Sequence, residues 1–70
     1  MEASVLKGQL TYINTDKNYI NITDDGESIR VEIIPETRIP TNEWQEIIGH
    51  EVEAIIIDSK VKTIEFAGEE

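Results

Sequence analysis

Seventy residues leave room for one small domain, spanning 1-70, and with no cysteine to staple it the chain must rely on a single dense core. Fifteen acids against six lysines and arginines give a net charge of −9, which argues against tight sequence-independent binding to nucleic acid or anionic lipid. Thirteen isoleucines within the 39% apolar fraction argue against disorder despite 30% charged residues. No apolar run approaches the roughly 20 residues that span a bilayer, so no membrane association is expected. Met1-Glu2-Ala3-Ser4 carries neither a basic nor a hydrophobic segment, so no secretory signal is expected either. These features predict a soluble, acidic, cytoplasmic domain.

Ser4 to Asn14 reads as a first strand interrupted by Gly8, a residue that suits a bulge or sharp bend. Leu6, Leu10 and Tyr12 share one parity there, Val5 and Ile13 the other. Thr15-Asp16-Lys17-Asn18 is a polar hairpin connection. Tyr19 to Thr23 alternates, with Ile20 and Ile22 inward and Tyr19, Asn21 and Thr23 outward. Asp24-Asp25-Gly26-Glu27 is the strongest turn signal, because Asp-Gly supplies the positive φ angles of a tight hairpin. Ser28 to Ile34 forms a third strand with Ile29, Val31 and Ile33 inward, ended by Pro35.

Pro40-Thr41-Asn42 opens a two-turn helix. Thr41 or Asn42 is its cap, Gln45 stands at capping-box spacing and Gly49 takes the C-terminal cap position. Trp44, Ile47 and Ile48 form its apolar stripe, which must dock on the sheet. Glu51 to Ile57 is a fourth strand with Val52, Ala54 and Ile56 inward; Ile55 and Ile57 suggest cover on the other face as well. After Asp58-Ser59-Lys60, the last strand runs from Val61 to Phe66 with Ile64 and Phe66 as core anchors, and Ala67 to Glu70 frays.

Three strands, a short helix and two strands in so short a chain predict a mostly β fold, a five-stranded OB-like small barrel with the helix between strands 3 and 4. An SH3-like or Sm-like barrel is the alternative and would place the helical piece elsewhere. The spacing of Gly8-Gln9-Leu10, Tyr19-Ile20-Asn21-Ile22, Val31-Glu32-Ile33, Thr37-Arg38-Ile39-Pro40 and Ile48-Gly49-His50-Glu51-Val52 resembles small bacterial OB-fold-like β-barrel domains of uncharacterised function. The resemblance covers nearly the whole chain and implies a fold rather than an activity.

Catalysis is not expected. With no cysteine and His50 as the only histidine, the common nucleophile–base pairs cannot be assembled in one chain. His50 reads as a residue of the helix C-terminal region, where a cation is mildly stabilising. The Asp24 turn lacks the spacing of a calcium loop, so no dedicated metal site and no cofactor are expected. The common ligand face of an OB barrel gathers here Lys7, Gln9, Thr11, Tyr19, Asn21 and Arg30, the least acidic side of the chain. One tyrosine and few cations make a thin stacking platform, and phosphates are repelled by the net charge. Single-stranded nucleic acid is therefore the alternative reading. The preferred one is a non-enzymatic protein-interaction module whose partner is another protein or a second copy. Ile34, Ile55 and Ile57, at outward parity, are its candidate interface.

Overall fold

The structure is a computed structural model that describes residues 3–68. Five strands are present: β1 Ala3–Asn14, β2 Tyr19–Asp24, β3 Glu27–Arg38, β4 Glu51–Ile57 and β5 Lys60–Phe66. They close into a barrel in the order β1-β2-β3-β5-β4. The helical piece lies between β3 and β4, as the OB-like reading requires. All pairings are antiparallel except β3 with β5.

β1 is one long strand that serves two neighbours. Its first half, Ala3 to Gln9, pairs with β4, and its second half, Gln9 to Asn14, pairs with β2. Gly8 stands at the crossover, but it is not a bulge. A Cβ there would sit 2.6 Å from the Thr23 carbonyl oxygen and 2.7 Å from Ile22 Cγ2, so glycine lets β1 and β2 approach closely. The irregularity falls two residues on, between Leu10 and Tyr12. The extra residue reverses the alternation: Leu10 is buried, Tyr12 is exposed and Ile13 packs against the core. Val5 is exposed as well.

The turns follow their residue chemistry. Asn14 Oδ1 accepts the Lys17 amide at 3.0 Å, and Asn18 takes the left-handed conformation at φ 63°. Asp25 and Gly26, at φ 57° and 84°, make the two-residue hairpin between β2 and β3. Asp58 and Ser59 do the same between β4 and β5, at φ 55° and 67°.

Three expectations need correction. First, β3 does not end at Pro35. It continues to Arg38, because only Glu32, Ile33 and Arg38 have register partners on β5, which leaves Pro35 no ladder bond to break. For the same reason Ile29 is 37% exposed: before Glu32, β3 has a neighbour on one side only. Second, the helix is a single 3-10 turn, Trp44–Glu46, which we call η1. Glu43 is its N-cap and no side chain caps it; the Thr41 hydroxyl donates instead to the Glu43 carbonyl at 2.9 Å. Ile47 is fully buried and Trp44 packs on the core, but Ile48 is exposed, since one turn orients too few residues for a three-member stripe. Third, Phe66 is 40% exposed, while Val61 and Ile64 are buried. A shift in register against Ile55 and Ile56 brings Val61 and Ile64 inward together. Phe66 keeps the parity of Ile64 and pairs with buried Val52, but it is the last residue of β5, at the end of the barrel, where its ring is left partly in water.

The core is Leu10, Ile20, Ile22, Ile33, Ile47, Val52, Ala54, Val61 and Ile64. Each of its valine, leucine and isoleucine side chains removed from water contributes roughly 1.5–3 kcal/mol. Ala67, expected to fray, is buried and donates its amide to the Glu51 carbonyl at 2.9 Å. Glu69 and Glu70 lie outside the described residues.

Candidate functional site

Outward alternation on β1, β2 and β3 sets the expected ligand face, and the barrel assembles only part of it. Asn21 and Arg30 are register partners on β2 and β3, and Tyr19 lies two residues along from Asn21. The Arg30 guanidinium carbon stands 4.1 Å above the Tyr19 ring centroid, and Tyr19 tilts against Tyr12 at 5.9 Å. Thr11 shares a hydrogen bond with Thr23, hydroxyl to hydroxyl at 3.1 Å, and donates to the Asn21 carbonyl at 3.3 Å. Lys7 and Gln9 do not join this group. Lys7 sits on the half of β1 that pairs with β4, opposite Glu53. The Gln9 carboxamide donates to the Gly49 carbonyl at 2.8 Å.

A groove of about 610 Å³ opens beside the Arg30–Tyr19 pair. The β1–β2 turn contributes Lys17 and Asn18, and the far end of β4 with its turn contributes Ile56 and Ser59. Val31 and Glu32 complete the wall, and Glu32 is held 4.0 Å from Lys60. Tyr19 and Arg30 were legible from alternation; Lys17, Ile56 and Ser59 were not, because only barrel closure brings these segments together.

At the opposite end of β4, His50 is exposed, and its ring meets Phe66 edge-on at 5.2 Å between centroids. The backbone here is firmly tied: Leu10 donates to the His50 carbonyl at 3.0 Å, and Gly49 donates to the Leu10 carbonyl at 2.8 Å. Among the described residues, no three of histidine, cysteine, aspartate and glutamate come together as a metal cage. Of the expected interface, Ile55 is exposed beside its register partner Val5, whereas Ile34 and Ile57 are half-buried.

No protein-family model matches this sequence, and no curated protein matches it. The fold, however, is shared with solved structures of CusF. The chain aligns with silver-bound CusF at a TM-score of 0.77 and 16% identity, over 96% of this chain and 100% of that one. With residues 10–88 of the Escherichia coli protein, also holding Ag(I), the TM-score is 0.74 at 16% identity over 96% and 94% of the two chains. With a tryptophan-to-alanine variant holding Cu(II), it is 0.73 at 17% identity over 94% and 92%. At these identities the likeness establishes the fold. Each of these three CusF structures holds a metal ion, and against that finding the expectation of a protein-interaction module, with single-stranded nucleic acid as its alternative, is not kept.

Proposed function

We propose that this chain is a metal-ion-binding barrel and that its ion is of the borderline class, Cu(II) rather than Ag(I). The observation that carries the reading is the shared fold, nearly end to end, with silver- and copper-bound CusF. The donors of this chain set the choice of metal. Ag(I) favours thiolate and thioether sulfur. Here there is no cysteine, and the one methionine, Met1, lies outside the described residues, so the described part of the chain does not fit a soft ion. Imidazole and carboxylate suit Cu(II). His50 is the single imidazole, accessible at the start of β4, with Phe66 shielding one side of the ring. One protein nitrogen leaves the other coordination positions to water or to donors from elsewhere, which is the arrangement of an exchangeable ion and not of a structural one.

Titration of the amide NMR spectrum with Cu(II) tests this reading. Paramagnetic broadening is expected first at Gly49 to Val52 and at Phe66, before the acidic turn at Asp24 to Glu27. His50→Gln should weaken binding at least about tenfold, and Ag(I) should bind the wild type more weakly than Cu(II). Broadening that begins at the carboxylates and is unchanged in His50→Gln overturns it.

A further inference from the structure

The groove at the other end of β4 is independent of the metal reading, and its chemistry is of the opposite sign. On a chain of net charge −9, two of the six cations, Lys17 and Arg30, line it. Among the described residues neither forms an ion pair, whereas Glu32, the one acid in the wall, is drawn toward Lys60. Asp16 and Asp58 stand next to lining residues in the chain but do not line the groove. The cationic excess is therefore local to this cleft.

Its parts are also fixed in place. The Arg30 guanidinium carbon lies 4.1 Å over the Tyr19 ring, a cation–π contact that restrains the side chain beside the groove and leaves its N–H donors for an oxyanion. The β1–β2 turn is pinned where the Asn18 carbonyl accepts the Ile33 amide at 2.9 Å. Val31 and Ile56, both half-buried, supply an apolar floor. A volume of about 610 Å³ is in the range of small-molecule sites.

We propose that this groove binds a small organic carboxylate, its carboxylate on the Arg30 fork with Lys17 as second cation and its apolar body on Val31 and Ile56. A phosphate alone would use the cations but leave the floor empty. A simple carboxylate such as acetate would do the same.

The test is an NMR titration of the whole chain with benzoate, acetate and inorganic phosphate in separate arms at low chloride. Benzoate should give saturable shifts at the Tyr19 ring, the Arg30 Nε–H and the Val31 and Ile56 methyls. Acetate should bind at least about tenfold more weakly, because it buries no ring. Arg30 is exposed, so Arg30→Gln should retain the dispersed spectrum of the folded barrel while losing at least about tenfold in benzoate affinity. Lys17→Gln, in an exposed turn, should weaken benzoate by a smaller factor. Phosphate binding as tightly as benzoate would overturn the proposal, as would benzoate shifts spread over Arg38 and Lys62, or an Arg30→Gln variant that binds benzoate unchanged.

Discussion

At the scale of single residues, Gly8 is the position with least freedom. The atoms a Cβ would meet there are a backbone carbonyl on β2 and the side chain of Ile22, which is itself fully buried, so neither can give way cheaply. Positive φ has no part in this; the constraint is the distance between β1 and β2. Gly8→Ala should therefore cost about 1–3 kcal/mol, the usual range for overpacking a tight core. Urea unfolding of the pair measures it, and a loss below about 0.5 kcal/mol would mean that the two strands separate without strain. The sequence showed that a glycine inside β1 had a purpose, but not which one. Bend, bulge and close approach all favour glycine, and the partner strand that decides among them is fourteen or more residues away at Ile22 and Thr23.

At the scale of elements, strand existence was legible and facing was not always. β4 runs over the expected Glu51 to Ile57, and the Asp25-Gly26 hairpin forms where its residues demand. In β1 and β5, simple alternation fails at register shifts that no local residue announces, because they arise where one strand must match two neighbours at once. Phe66, read as a core anchor, fails for another reason: it has the parity of Ile64 but closes β5 at the end of the barrel, where part of its ring stays in water. A direct consequence separates it from Ile64, which is 1% exposed. Ile64→Ala should destabilise by about 2–5 kcal/mol, the cost of a cavity in the barrel interior. Phe66→Ala should cost well under half as much, since a large part of its ring is already in water. Equal losses in chemical denaturation would restore Phe66 to the core. The candidate site divides the same way. Tyr19, Asn21 and Arg30 follow from period-two alternation, while the groove walls from the two turns exist only in the closed barrel.

At the scale of the whole molecule, the chain carries fifteen acids, and its described residues form a small barrel with a radius of gyration of 10.9 Å. Among the described residues one ion pair is present, Lys60 with Glu32 at 4.0 Å, and both side chains are well exposed. Salt therefore has little attraction to remove and much repulsion to screen. Its reach falls to about 8 Å at 0.15 M, shorter than the barrel itself. The melting temperature should rise from low salt to about 0.15 M chloride, by about 4–8 °C for each kcal/mol of repulsion screened in a domain of this size. One row of the barrel sharpens the argument. Across β1, β4 and β5, Lys7 faces Glu53 and Glu53 faces Glu65, so the second pair sets like charges directly opposite each other. Glu65→Lys turns that repulsion into attraction and lowers the total negative charge by two. A cross-strand pair of this kind changes stability by roughly 0.2–1 kcal/mol, so the variant should melt a few degrees higher at low salt. Its advantage should shrink as chloride is added, because the same screening that helps the wild type weakens the new pair. A wild-type melting temperature that falls with salt, or a Glu65→Lys gain that persists undiminished at 0.15 M, would show that packing and not charge governs the difference.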